Sequence, residues 1–121
     1  MYIFKKYKNN IYYFKLGNIQ EHEFNNYIND FTLIFKKKEH FKVIFDLSEI
    51  IIKDSFYSKQ IIIFMNNNKE NTTTYLDKSV IIIYNNFFKN LINNLILFIY
   101  KPIKPNIIVN KLIDAFDYIN N

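Results

Sequence analysis

The side chains of this sequence that could perform catalysis are few and far apart. Its 121 residues contain no cysteine and only two histidines, His22 and His40. The histidines flank opposite ends of a predicted helix, so about 27 Å would separate them at a rise of 1.5 Å per residue. A single chain therefore cannot bring both to one metal ion, and a catalytic dyad needs its two groups within hydrogen-bond distance. We expect both histidines on the surface, and we expect no metal or other cofactor.

Two pairs of carboxylates could in principle perform acid–base chemistry. Asp114 and Asp117 lie three residues apart in a predicted C-terminal helix, and Glu21 and Glu23 lie near the start of the first helix. Such pairs catalyse reactions when burial shifts their pKa values, but the hydrophobic periodicity places these on polar faces. The only glycine is Gly17, which excludes glycine-rich phosphate and dinucleotide loops because these need several. We therefore expect a protein that is not an enzyme.

Lysine supplies the whole basic excess of the chain. All 16 basic residues are lysines, and the formal net charge is +5. The main cluster is Lys36–Lys38 with Lys42 nearby, and lysines and tyrosines interleave over Tyr2–Tyr13. Lysines beside aromatic rings can bind single-stranded nucleic acid, but no arginine is present for bidentate contacts to phosphate or guanine. We expect these lysines to solvate a helix end, with nucleic-acid binding as the lesser alternative.

The main candidate for a functional site is the segment 46–58, which follows a predicted buried strand. Open α/β sheets bind ligands at the carboxyl ends of their strands, and a helix N-terminus offers free N–H groups to an anion. The candidate partner-binding residues are Asp46, Ser48, Asp54, Ser55, Phe56, Tyr57 and Ser58. A phosphate on Ser55 or Ser58 would add a charge of about −1.5 to −2. In the purely structural alternative, Asp54 and Ser55 only cap a helix, and Asp46 only satisfies loop backbone.

The elements that would position this segment follow from hydrophobic periodicity and turn residues. Strands are predicted at Tyr2–Tyr7, Ile11–Leu16, Phe41–Leu47, Ser79–Tyr84 and Asn106–Val109. Helices are predicted over Glu21–Lys38, from Asp54 to about Met65, over Asn86–Tyr100, and after a capping Asn110. The last helix would turn Leu112, Ile113, Phe116 and Ile119 inward. Ile61–Met65 could form a strand instead of a helix, and the polar stretch Asn66–Lys78 predicts a loop.

The order β-β-α-β-α-β-α-β-α predicts an α/β fold with a mixed, mostly parallel sheet covered by helices. The length and the 50% apolar content predict one domain over residues 1–121. No apolar run approaches the length of a membrane span, about 18 residues. The first residues lack a signal-peptide pattern, and the lack of cysteine suits a reducing compartment, so we expect a cytoplasmic protein. The abundance of Ile, Asn, Lys, Phe and Tyr is typical of an AT-rich genome, in a bacterium, a parasite or a large DNA virus.

Two stretches together resemble the STAS domains, the family of bacterial anti-sigma-factor antagonists. The first is Val43-Ile-Phe-Asp-Leu-Ser48 followed by Lys53-Asp-Ser55. It resembles the place where a buried strand of that family ends in Asp-Leu-Ser and an Asp-Ser pair opens a helix. The second runs from Ser79 to Ile119 and resembles the C-terminal half of small stand-alone members. The resemblance implies the STAS fold over the whole chain.

The resemblance also implies a non-enzymatic regulatory module that binds a protein: a kinase, an anti-sigma factor or a copy of the same domain. In regulated members the Asp-Ser pair is followed by a phosphorylated serine and a glycine, but here Phe56 and Tyr57 occupy those places. The sequence therefore lacks the usual phosphoacceptor. The alternative function is a structural or assembly protein, for example a viral one, that associates with itself through exposed aromatic residues and the first hairpin.

Overall fold

Five strands of the described chain form one mixed sheet. The computed structural model describes residues 1–86, 89–90 and 106–121. The strands are β1 (Tyr2–Tyr7), β2 (Ile11–Leu16), β3 (Phe41–Asp46), β4 (Leu76–Ile82) and β5 (Asn106–Val109). They lie side by side in the order of the sequence. β1 is antiparallel to β2, and every other neighbouring pair is parallel. The predicted mixed, mostly parallel sheet is confirmed.

The two strands of the N-terminal hairpin meet at a short 3-10 turn, Lys8–Asn10. Asn9 and Asn10 have positive φ angles of 63° and 54°. Asparagine enters this left-handed region more readily than most residues, so these two residues allow the chain to reverse. The predicted hairpin is confirmed.

Four described helices flank this sheet on its two faces. They are α1 (Glu21–Lys36), α2 (Ser55–Asn67), α3 (Lys69–Tyr75) and α4 (Leu112–Asn120). α1 and α2 pack on one face, whereas α4 packs on the other. Crossover connections between parallel strands have the same handedness, so successive connections that add strands in one direction place their helices on the same face of the sheet. α4 follows β5 and covers the opposite face.

The prediction of a loop over Asn66–Lys78 is wrong. The segment contains the end of α2, all of α3 and the start of β4. Thr72 is buried, and its hydroxyl donates within the helix to the carbonyl of Asn68 at 3.0 Å. A polar composition therefore did not require this segment to be an exposed loop.

Two details of the last helix also differ from the prediction. Leu112 and Ile113 are exposed, and the buried side chains are Ala115 and Ile119. Lys111, not Asn110, occupies the N-cap position. One further predicted helix, Asn86–Tyr100, falls largely outside the described residues.

The core of the first face contains a cluster of aromatic rings among aliphatic side chains. Phe14, Tyr27 and Phe31 are fully buried. The ring centroid of Phe14 lies 5.3 Å from that of Tyr27 and 5.2 Å from that of Phe31. Since Phe14 belongs to β2 and the other two rings belong to α1, these contacts fasten the first helix to the sheet. Tyr27 and Phe31, four residues apart, belong to the inward face of this helix.

The second face uses two lysines to hold the C-terminal helix. Lys42 and Lys78 are paired neighbours on β3 and β4. Their ammonium groups donate to the carbonyls of Ile119 at 3.0 Å and Tyr118 at 2.7 Å. Cations at a helix C-terminus interact favourably with the helix dipole and with its unpaired carbonyls. Lys42, which the sequence placed in a basic cluster, therefore has a structural role.

Substituting Tyr27 by phenylalanine is expected to raise the free energy of unfolding by about 1 kcal/mol. Tyr27 is fully buried, its burial raises the pKa of the phenol, and its hydroxyl has no partner within the described chain. Removing that oxygen removes a desolvation penalty and no bond. Urea denaturation would measure the change. Tyr2→Phe is the matched control, because the Tyr2 hydroxyl donates to Asp30 at 2.6 Å, and its loss should destabilise. A destabilised Tyr27→Phe protein would contradict this account.

Candidate functional site

The segment 46–58 begins at the carboxyl end of β3, the central strand of the sheet. A 3-10 turn over Ile52–Asp54 leads directly into α2, which begins at Ser55. The run Ile61–Met65 lies within this helix, so the helical alternative of the prediction is confirmed. The segment therefore passes from a buried strand to a helix N-terminus at the edge where α/β sheets place their sites.

Asp54 anchors this segment from inside the protein. Its side chain is 3% exposed and accepts three backbone hydrogen bonds. The donors are Asn18 at 2.7 Å, Ile19 at 2.9 Å and Ile51 at 2.9 Å. Asp54 occupies the N-cap position of α2, as the structural alternative expected, but its carboxylate accepts no bond from the N–H groups of that helix. The carboxylate instead ties the site segment to the connection between β2 and α1.

Gly17 permits the same two stretches to approach each other closely. A Cβ atom at this position would lie 2.5 Å from the carbonyl oxygen of Glu49, far inside van der Waals contact. The φ angle of Gly17 is not positive. Glycine is therefore needed here for its missing side chain and not for its backbone freedom. The carboxylate of Glu49 also forms an ion pair with Lys15 at 3.5 Å. The sequence indicated a tight exit at Gly17, but its partner became visible only in the fold.

Asp46, the first residue of the segment, is the second buried carboxylate that holds it in place. It is 5% exposed, and it accepts hydrogen bonds from the Tyr13 hydroxyl and from the backbone N–H of Ser48 at 3.0 Å. Burial and the bond to Asp46 together raise the pKa of Tyr13, which keeps that phenol protonated as a donor. The backbone N–H of Leu47 continues the pairing by donating to Ile82 at 2.8 Å. Buried carboxylates thus hold the segment at its first residue, Asp46, and at Asp54, just before α2 begins.

The outward side of the segment carries several exposed apolar side chains. Ile52 is 75% exposed and Phe56 is 61% exposed, with Ile51 exposed beside them. Tyr57 is half-buried, and its ring lies 5.0 Å from that of Phe24 and 5.4 Å from that of Phe56. The two isoleucines were missed as site residues, although three consecutive isoleucines within a loop are a readable signal of unexplained apolar surface. Solvent-facing apolar groups suit contact with another molecule.

The predicted site residues therefore divide into two groups. Asp46 and Asp54 are buried and bonded within the protein, so they support the segment and do not face a partner. Phe56 is presented to solvent, while the hydroxyl of Ser55 donates to the carbonyl of Ile52 at 2.7 Å. Ser48 is half-buried, and the side chain of Ser58 lies outside the described part of the structure. Binding of a partner and phosphorylation remain predictions for this segment.

The crevice beneath the segment is too small for a substrate. It encloses about 10 Å³, which is room for about one water molecule. Its lining residues are Leu16, Gly17, Ile19, Leu47, Ile50, Asp54, Tyr57 and Ile61. No group of three or more His, Asp or Glu side chains that could hold a metal occurs in the described ranges. What this arrangement offers is a supported apolar surface.

Only part of the lysine–tyrosine pattern near the N-terminus is available for stacking, because Tyr7 is 37% exposed whereas two of its other tyrosines are buried. Tyr12 and Tyr13 are buried, and Lys37 donates to the hydroxyl of Tyr12 at 3.4 Å. Base stacking requires exposed aromatic faces, which these two rings do not offer. Lys36 and Lys38 remain exposed at the end of α1, as expected for a solvated helix terminus.

No protein-family model, curated protein or solved structure matches this chain. Over the ranges that the structure describes, the helices are all too short or too polar to cross a membrane.

Proposed function

We propose that this chain is a non-enzymatic interaction module of the STAS type that binds a protein partner through the segment 46–58. The observation that carries the proposal is the pair of exposed side chains Ile52 and Phe56 on a segment held from within by Asp46 and Asp54. Exposed apolar residues on a preorganised segment lower the entropic cost of binding. Large aromatic side chains are frequent anchors of protein interfaces.

The positions of the motif residues support the STAS assignment. Asp46 ends the central strand, and Ser55 opens α2, which are the places that the resemblance implies for the Asp-Leu-Ser and Asp-Ser motifs. A sheet whose strands follow the order of the sequence, with an antiparallel first pair, is compatible with the fold of a small stand-alone member.

The proposal includes a departure from the regulated members of that family. Phe56, which occupies the place of their phosphorylated serine, is exposed and cannot accept a phosphate. A phenylalanine there replaces a switchable anion by permanent apolar surface. We expect binding through this position to be constitutive.

The proposal is tested by comparing the proteins that the wild-type chain and the Phe56→Ser variant capture from a lysate of the source cells. We expect at least one protein, identified by mass spectrometry, to lose about tenfold or more in recovery with the variant. Leu33→Ser is the matched control, because Leu33 is also an exposed apolar residue, 57% accessible, but lies on α1. Its capture profile should equal that of the wild type.

Equal capture by wild type and Phe56→Ser, with both proteins folded by circular dichroism, would reject the site. Recovery of only this chain itself, lost in the Phe56→Ser variant, would instead indicate a homomeric assembly protein.

A further inference from the structure

The outward apolar surface continues beyond the candidate site along α2. A helix on the surface of a domain normally has one apolar stripe, directed at the core. In α2 that stripe includes the buried Ile62 and Met65, but Ile63 is 38% exposed on the other side. The helix therefore has a second apolar stripe, formed by the exposed Phe56 and Ile63, on the side away from the core.

The members of this second stripe align along the helix. At about 100° per residue, Phe56 and Ile63 point within about 20° of each other and lie about 10 Å apart along the axis. Ile52 precedes Phe56 by four residues, in the 3-10 turn that leads into the helix. We call Ile52, Phe56 and Ile63 the α2 ridge.

Two exposed lysines lie beside the α2 ridge. Lys59 follows Phe56 by three residues, roughly 60° to one side of it around the helix, and Lys53 precedes Phe56 by three residues in the 3-10 turn. Residues 55–67 contain no Asp or Glu. The neighbouring carboxylates are occupied, since Asp54 is buried and Glu49 is paired with Lys15. The positive end of the helix dipole adds to this field.

We propose that the α2 ridge docks an acidic amphipathic helix of a protein partner. The partner would place apolar residues at i, i+3 or i+4, and i+7 on the ridge. Its flanking Asp or Glu side chains would face Lys53 and Lys59. This inference rests on the proposed function and specifies the chemistry of its partner. A helix fits better than a lipid surface, because stable membrane anchoring needs more apolar area or a larger basic patch than three apolar side chains and two lysines.

The test uses two designed helical peptides of about 20 residues, long enough to form a helix, with the same leucine stripe. One has glutamates flanking the stripe, and the other has lysines. Fluorescence anisotropy with the full chain should show at least about tenfold tighter binding of the glutamate peptide. The double variant Lys53→Glu/Lys59→Glu should reverse this preference, whereas the control Lys36→Glu/Lys38→Glu should keep it.

Three results would overturn the inference. The first is equal binding of the two peptides, or a preference unchanged by Lys53→Glu/Lys59→Glu. The second is binding to phosphatidylserine-containing vesicles that exceeds binding to the glutamate peptide. The third is Phe56-dependent self-association in sedimentation, which would make a second copy the occupant. If the peptides fail while Phe56-dependent capture of a cellular protein persists, the interaction module stands and only the partner's chemistry is wrong.

Discussion

Replacing Asp54 by asparagine is expected to lower the free energy of unfolding by about 3 kcal/mol. The carboxylate accepts backbone N–H groups from Asn18, Ile19 and Ile51. An asparagine side chain has the same shape but only one acceptor oxygen. Its NH₂ group would therefore face a backbone N–H group, and two donors cannot form a hydrogen bond. At least one buried N–H group would lose its partner. Chemical denaturation of both proteins, monitored by circular dichroism, measures the difference.

Asp117→Asn is the matched control for this substitution. Asp117 is exposed on α4, and surface substitutions of this kind usually change stability by less than about 0.5 kcal/mol. If Asp54→Asn had an equally small effect, Asp54 could not be the anchor of the candidate site. The Phe56 surface would then need another means of support.

Replacing Phe14 by alanine is expected to cost about 3–5 kcal/mol of stability, the usual range for truncating a buried phenylalanine. Phe14 has no exposed surface, and its ring stacks within 5.2 Å of Phe31 and within 4.9 Å of Phe4. The substitution would leave a cavity between β2 and α1 that rigid neighbouring rings cannot fill. For a domain of this size, a loss of that order can consume much of the total stability.

Urea denaturation, with the midpoint and slope compared between variants, checks this expectation. Leu33→Ala is the control, because Leu33 is largely exposed on the same helix that Phe14 contacts, and its change should stay below about 1 kcal/mol. A Phe14→Ala protein as stable as Leu33→Ala would show that the aromatic cluster does not fasten the first helix to the sheet.

The two carboxylates of the candidate site illustrate why their roles could not be predicted from the sequence. Asp46 and Asp54 lie in a segment whose motif resembles a functional loop, and the sequence assigned them to the partner surface. Both are buried, and Asp54 finds two of its donors 35 and 36 residues away along the chain. No local sequence pattern predicts such a bond, because it depends on how the connection after β2 packs against the connection after β3.

Local patterns did predict the elements whose apolar residues form compact runs or recur at helical spacing. Aromatic and β-branched runs predicted β1 and β2, and the helical spacing of Tyr27 and Phe31 predicted α1. Such patterns depend only on residues close together in the sequence. The same logic failed for Lys69–Tyr75, whose polar sequence predicted a loop, although it forms a helix in which Thr72 is buried.

The sequence by itself determined the alternation of strands and helices, the hairpin and the presence of two large aromatics at the start of α2. Only the tertiary structure decided which of these faced outward: Phe56 toward solvent, Tyr57 against Phe24, and Asp54 toward the preceding connection. The physical reason is that periodicity reports which side chains share a face of one element. Whether that face is covered depends on segments distant in the sequence, and these are brought together only by folding.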